Sequence, residues 1–312
     1  MPDIVVMFFL LGLVAGVLRS DLTIPKAAYD TLSLLLMLTI GLKGGMALHG
    51  AINASLVLEL LAVAAVGAVI PLIILPLLRV FGVNLSDSAS LAAHYGSVSA
   101  GTFAVVLAYA ESNGLDFGPQ TTLYLVMLEL PAIIVALALY RRFSSDTVGA
   151  SRIELWHETL TNRGVVLLTG GVLIGWMYGP VDGAGVTELF TGAFKAVLAL
   201  FLLEMGLTAA ETLRPIPWKQ WRLLIFALVA PVVLSLLGIG VGMQLGLETG
   251  SLLILATLVA SASYIAAPAA VRTAIPSADI GLAMLLSLGI TFPFNVMVGI
   301  PLYHAMIDAL LA

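Results

Sequence analysis

The chemistry-bearing residues of this chain sit inside its most apolar runs. Tyr95-Gly96-Ser97-Val98-Ser99-Ala100-Gly101-Thr102 lies in a run from about 88 to 110, long enough to cross a bilayer. Gly disfavours helix, and Ser and Thr offer hydroxyls to nearby backbone groups, so the centre of this run predicts a broken helix. Irregular backbone at membrane depth is tolerated where it is buried in protein or lines a cavity. A second stretch, Ser261-Ala262-Ser263-Tyr264-Ile265-Ala266-Ala267-Pro268, interrupts a run from about 251 to 274 in the same way. Either stretch alone also reads as a packing face of small residues. Their repetition at corresponding places favours a binding site. Two half-helix N-termini meeting near the midplane present N–H groups and partial positive charge, which suits a small anion. Hydroxyls of Ser99, Thr102 and Ser263 would add directional hydrogen bonds.

Glu129 stands just before Leu130-Pro131, where proline leaves a backbone carbonyl without its donor. A carboxylate beside a free carbonyl is hard oxygen ligation, suited to a small cation; a hydrogen-bonded packing Glu is the plainer alternative. An anion site with a cation site beside it is the arrangement of a cation-coupled anion symporter. Ionisable residues at mid-membrane cost roughly 2.5–3.5 kcal/mol each on insertion scales, so the others need an account too. Lys43 and Glu204 fall at nearly matching depths in their runs and predict a structural ion pair or a polar contact between domains. Lys195 and Glu59 lie nearer run ends and read as snorkelling side chains. His94 reads as a hydrogen-bonded packing histidine, and Asp87 as the N-cap of its span. Gly12-x-x-x-Gly16, Gly41-x-x-x-Gly45 and Gly171-x-x-x-Gly175 read as helix-packing faces.

The elements that must position these residues are membrane helices. Of the 312 residues 61% are hydrophobic and 10% charged, which describes a polytopic membrane protein with no sizeable soluble domain. Cysteine is absent, which excludes disulfides, iron–sulfur clusters and thiol catalysis. The first apolar run has only Asp3 before it and reads as a retained helix rather than a cleaved signal. Ten spans are predicted, near 4–19, 27–48, 55–81, 88–110, 120–140, 163–179, 188–210, 221–246, 250–274 and 279–311, the last with kinks expected at Pro293 and Pro301.

The halves answer each other. Gly12 to Gly16 corresponds to Gly171 to Gly175, Gly41 to Gly206, Pro71 to Pro231, the first Ser-x-Ser to the second, and Glu129-Leu130-Pro131 loosely to Thr291-Phe292-Pro293. An odd number of spans per half requires the second half to be inserted upside down. Residues 1–143 form the first inverted repeat, 144–162 a cytoplasmic linker and 163–312 the second repeat. The fold class expected is an all-α polytopic membrane protein of ten transmembrane helices in two inverted five-helix repeats, with broken helices four and nine crossing near the midplane. Charge tests the orientation independently: 11 of the 13 Lys and Arg residues follow or border the loops after odd-numbered spans, and the other two, Lys43 and Lys195, lie well inside spans. By the positive-inside rule both termini face outward. His157 in the linker has Glu154 and Glu158 beside it, but the spacing fits no zinc pattern.

The residues together resemble the cyanobacterial sodium-dependent bicarbonate transporter family, the SbtA-like proteins. The resemblance is carried by Ile40-Gly41-Leu42-Lys43-Gly44-Gly45-Met46-Ala47, Gly96 to Thr102 and Glu129-Leu130-Pro131-Ala132 in the first half. In the second half it is carried by Ala260-Ser261-Ala262-Ser263, Arg272 to Ala278 and Ile300-Pro301-Leu302. It implies sodium-coupled symport of a small anion, with bicarbonate the first choice, in the inner membrane by an elevator motion. It also implies a moving core of spans 3–5 and 8–10, a gate of spans 1, 2, 6 and 7, and a homotrimer. Substrate would be held by Gly96, Ser97, Ser99, Gly101, Thr102 and Ser263, and sodium, the coupling ion, by Glu129, Ser261, Ser263 and Thr291; no other cofactor is expected. Cyanobacterial members carry an acid where this chain has Tyr264 and a threonine where it has Phe292, so the second-half site is altered. Their long cytoplasmic insertion is shortened here, which leaves a PII-like regulatory partner an option rather than an expectation. Two other readings stay open. One is a sodium- or proton-coupled transporter of the same fold for another small anion or organic acid. The other, remote, is an intramembrane enzyme: no intramembrane Asp pair is present, and His94 is too close in sequence to Ser97 and Ser99 for an evident dyad.

Overall fold

Long apolar runs with few breakers fold as helices in a bilayer because every backbone polar group must be satisfied within the segment. The computed structural model describes residues 4–50, 53–144, 161, 163–214 and 218–311, and the regular structure among them is all helical. The helices are α1 (Ile4–Leu18), α2 (Lys26–Leu48), α3 (Ala54–Val80), α4 (Leu85–Gly96), α5 (Ala100–Ser112) and α6 (Thr121–Phe143). They continue as α7 (Arg163–Asp182), α8 (Ala184–Thr212), α9 (Trp221–Gln244), α10 (Thr249–Val259), α11 (Ala266–Ala274) and α12 (Ile280–Leu311). Six segments among the described residues are long and apolar enough to cross a membrane: α3, α4 with α5, α6, α8, α9 with the turn leading into it, and α12. α1, most of α7 and α10 are shorter apolar helices. The chain is an all-α, multi-spanning membrane protein. Nearly all of the 144–162 linker, with His157 and its acidic neighbours, lies outside the described residues.

Close helix pairing follows from the glycines. α1 packs along α8 and α2 along α7. A Cβ on Gly41 would stand 2.5 Å from the Leu168 carbonyl oxygen and 3.0 Å from the Gly171 Cα, and one on Gly175 would stand 2.5 Å from the Leu42 oxygen. A Cβ on Gly206 would meet the Gly12 carbonyl carbon at 2.9 Å. The obstacles are backbone atoms, which cannot rotate away. Gly41→Val is therefore expected to destabilise the purified protein by roughly 1–3 kcal/mol or more. Gly170→Ala on the same α7, where a Cβ meets nothing within 4 Å, should leave it unchanged. Thermal unfolding in detergent of the two variants checks this.

α3, α4 and α6 pack together, as do α9, α10 and α12. Pro293 does not break α12. It sits between two π-helical stretches, Leu285–Thr291 and Asn295–Gly299, whose wider turns accommodate a residue without a donor. Asp87 is not the N-cap expected of it. The cap of α4 is Asn84, whose Oδ1 accepts from the Asp87 N–H at 2.8 Å, and the Asp87 carboxylate accepts in return from the Asn84 side-chain Nδ2 at 2.6 Å. The three-residue spacing is that of a capping box, which the apolar run, begun too late, concealed.

Candidate functional site

The two helix breaks are built by the same device. α4 ends at Gly96, and Ser97 to Ser99 are extended or irregular before α5 begins. Ser99 is the N-cap of α5, its Oγ accepting from the Thr102 N–H at 3.0 Å. α10 ends at Val259, and Ser263 Oγ accepts from the Ala267 N–H at 3.1 Å at the head of α11. The second serine of each Ser-x-Ser thus satisfies an orphan donor of the following half-helix. Each of these serines also sends its own N–H across to the other break: Ser99 to Ser261 Oγ at 3.0 Å, Ser263 to the His94 carbonyl at 2.7 Å. Ser261 in turn donates its hydroxyl to the Leu258 carbonyl at 2.7 Å. The breaks are therefore fastened to each other, and a buried irregular backbone keeps its hydrogen bonds.

Glu129, on α6, reaches this junction. It is buried and lines a recess with Val98, Ser99 and Ala100 of the first break, Ser263 and Tyr264 of the second, and Met37 of α2. A water-sized body has about 10 Å³ in which to move its centre there, close to the minimum for one water. One dehydrated small cation fits such a space and a bicarbonate does not. Its lining offers a carboxylate, two serines and backbone at two helix interruptions, a set of hard oxygen donors.

The N-terminal turn of α5 is closely packed around Gly101. A Cβ added to Gly101 would run into the Tyr264 hydroxyl and would come within 3.1 Å of the Phe201 ring and 3.4 Å of the Phe292 ring. Tyr264 and Phe292 meet edge to face at 5.4 Å, and Phe292 meets Phe9 in the same way at 5.4 Å. Two of the positions at which this chain departs from the cyanobacterial pattern, Tyr264 and Phe292, are thus one contact, and together they face Gly101. Among the described residues the hydroxyls of Ser97 and Thr102 are buried and have no hydrogen-bond partner. A buried hydroxyl left so costs about 1–3 kcal/mol, and such groups mark where a polar ligand completes a site.

Other candidate residues are placed elsewhere. Thr291 donates its hydroxyl to the Ala227 carbonyl at 2.8 Å and accepts from the Tyr95 hydroxyl at 2.8 Å; it ties α12 to α9 and α4 and does not line the Glu129 recess. Gly96 is needed for packing: a Cβ there would lie 2.7 Å from Pro71 and 3.1 Å from Ala132. Lys43 does not pair with Glu204. Its Nζ lies 2.7 Å from Glu111, at the end of α5, and 4.8 Å from the centre of the Phe194 ring. Glu204 instead accepts from Thr208, one turn along its own helix. Lys195 approaches the same Glu111 at 3.8 Å, so the two Lys residues that lie inside spans share one carboxylate. His94 is wholly buried, with Nδ1 against the Ser90 carbonyl at 2.7 Å.

One residue of the junction escaped the sequence reading. Asn295 donates to the Ala260 carbonyl at 2.9 Å and accepts from the Tyr303 hydroxyl at 2.7 Å. It thus satisfies the end of α10 from a π-helical turn of α12. The available signal was an amide in an otherwise apolar run beside Pro293.

Among the described residues no three His, Asp or Glu side chains gather as a transition-metal site would require. No curated protein matches the chain. A family model, that of the Na+-dependent bicarbonate transporter superfamily, matches residues 4–308, from the first turn of α1 into the last turn of α12. With two fastened helix breaks, a buried carboxylate beside them and a match over nearly its whole length, the chain belongs to the Na+-dependent bicarbonate transporter superfamily.

Proposed function

We propose that the chain carries bicarbonate into the cell in symport with one sodium ion, by elevator-type alternating access. The observation that carries this reading is the junction of the two breaks against Glu129, in a recess sized for one cation. Sodium occupies the recess, held by Glu129 with Ser99, Ser263 and nearby backbone. The anion takes the N-terminal turn of α5, on Ser97, Gly101 and Thr102, with Tyr264 covering it.

Ten spans in two inverted repeats account for the packing. Gly12 corresponds to Gly171 and Gly206 to Gly41, so exchanging the halves turns the Gly12–Gly206 contact into the Gly171–Gly41 contact, and both occur. In this reading α1, α2, α7 and α8 form the gate and the remaining helices the moving core. The Glu111 cluster then lies between the two, since Lys43 and Lys195 stand on α2 and α8 and Glu111 on α5. The membrane is the cell's inner membrane, both termini face outward, and the assembly is a homotrimer, as the family resemblance suggests.

One sodium is enough for modest accumulation. Importing a monovalent anion against −100 mV costs roughly 2.3 kcal/mol, which one co-transported sodium cancels. A tenfold inward sodium gradient then supplies about 1.4 kcal/mol, worth about tenfold accumulation.

Proteoliposomes loaded without sodium are expected to take up labelled bicarbonate when an inward sodium gradient is applied, and not under an equal potassium gradient. Uptake indifferent to sodium overturns the coupling, and uptake of a short organic acid in preference to bicarbonate reassigns the substrate. The orientation has its own check, because the chain lacks cysteine. A cysteine at Asn113, the C-cap of α5, should react with an impermeant thiol reagent on intact cells, and one at Ser145 should not. The reverse pattern inverts the topology.

A further inference from the structure

Away from the transport site, α3 and α9 leave a groove of about 530 Å³ between them. Its walls are apolar side chains such as Ile73, Leu77, Ile225, Val229 and Val233, each 40–57% exposed. Arg222 is the one charged residue among those that line it. The groove runs along α9 from Trp221 to Leu234, a length of about 20 Å at 1.5 Å per residue. That is somewhat more than one leaflet's share of a hydrocarbon layer about 30 Å thick. A spanning helix of another protein would need the whole thickness, so the length fits a molecule that enters from one leaflet only.

The end of the groove says what kind of molecule. Arg222 lies 5.7 Å from the Trp221 ring centre, and among the described residues it has no carboxylate partner. Arg79, in the last turn of α3, stands near the same end of the helix pair, as does Lys219 in the turn before α9. Tryptophan is at home at the headgroup level, and a guanidinium recognises phosphate by paired hydrogen bonds. A second apolar groove of about 460 Å³, walled by Leu38, Ile174 and Phe190, carries Asp182 instead of a base and lacks this complementarity.

We propose that the α3–α9 groove binds one anionic phospholipid, its acyl chain along the groove and its phosphate on Arg222. The site is independent of the transport reading and rests on the chain being embedded in a membrane. With the orientation above, the lipid comes from the cytoplasmic leaflet.

The test is native mass spectrometry of the purified full-length protein. It is exposed to phosphatidylglycerol or phosphatidylcholine with the same acyl chains, with size exclusion as the check on folding. The wild type is expected to retain one phosphatidylglycerol per protomer with a preference of about tenfold over phosphatidylcholine. Arg222→Gln should abolish the preference while leaving weak binding of both lipids, and Arg222→Lys should keep part of it. Val229→Trp, which fills the groove, should reduce retention of both. Millimolar inorganic phosphate should not displace the lipid, because the chain supplies much of the binding. Equal retention of the two lipids by the wild type overturns the proposal, as does an unchanged preference in Arg222→Gln. Displacement by phosphate, or efficient disulfide formation between protomers carrying Val229→Cys, would overturn it too, by making the site an ion site or an interface between copies.

Discussion

Glu129→Gln is expected to raise the sodium concentration for half-maximal uptake by about ten- to a hundredfold, with a much smaller change in bicarbonate affinity at saturating sodium. Glutamine keeps the shape and one oxygen ligand but removes the charge. Two unit charges 4 Å apart attract by about 4 kcal/mol at an effective dielectric constant of 20. Part of that offsets the desolvation of the ion, which leaves roughly 1.4–2.7 kcal/mol and hence the range above. The recess offers no second carboxylate to compensate, since Met37, Val98, Ala100 and Tyr264 make up much of the rest of its wall. Sodium titration of uptake in proteoliposomes, with folding followed by size exclusion, measures the shift. A well-folded variant with unchanged sodium dependence would reduce Glu129 to a packing residue and remove the cation site.

Gly101→Ala is expected to weaken bicarbonate binding by about ten- to a hundredfold, and Tyr264→Phe to restore part of the loss in the double variant. The single added carbon runs into the Tyr264 hydroxyl. α5 cannot retreat, because its first turn is held by the Ser99 cap and by the bond from Ser99 to Ser261. Tyr264 must move, and with it Phe292, its neighbour at 5.4 Å. Overpacking of this kind costs about 1–3 kcal/mol, which sets the fold-change. Removing the tyrosine oxygen makes room for the methyl group, so the two substitutions should couple strongly in a double-mutant cycle. Additive effects would mean that the hydroxyl does not rest on Gly101 when the anion binds. Binding by Gly101→Ala equal to that of the wild type would move the anion off the α5 terminus altogether.

These two experiments separate the ligands. The first moves sodium dependence and the second substrate affinity, so failure of one leaves the other informative. The Glu111 cluster is a third contact of interest, because it joins helices assigned here to different moving parts. Its residues are roughly 28–52% exposed, and ion pairs so exposed contribute little to stability; their weight would lie in which conformation is favoured.

The sequence alone determined that the chain spans a membrane as helices, because apolar runs of this length have no other way to satisfy their backbone. It located both breaks, since glycine, serine and threonine grouped inside such runs are local facts of composition. It located the packing glycines, whose four-residue spacing places them on one helix face. It also singled out Glu129, an acid inside an apolar run just before Leu130-Pro131. What it could not give was the rotation of each helix about its axis relative to its neighbours. Lys43 and Glu204 match in depth, yet Lys43 turns to Glu111, 68 residues on in the chain. Thr291 answers Glu129 in position but points to Ala227 and Tyr95. Asn295 meets Ala260 from a π-helical turn of α12, whose angular register differs from that of an α-helix. Tyr264 and Phe292 are separate departures in the sequence and a single contact over Gly101 in the fold. Depth along the membrane is written in the chain by length and hydropathy. The angle at which a side chain leaves its helix toward a partner is settled by packing against all the other helices at once, and that decided which residues share the site.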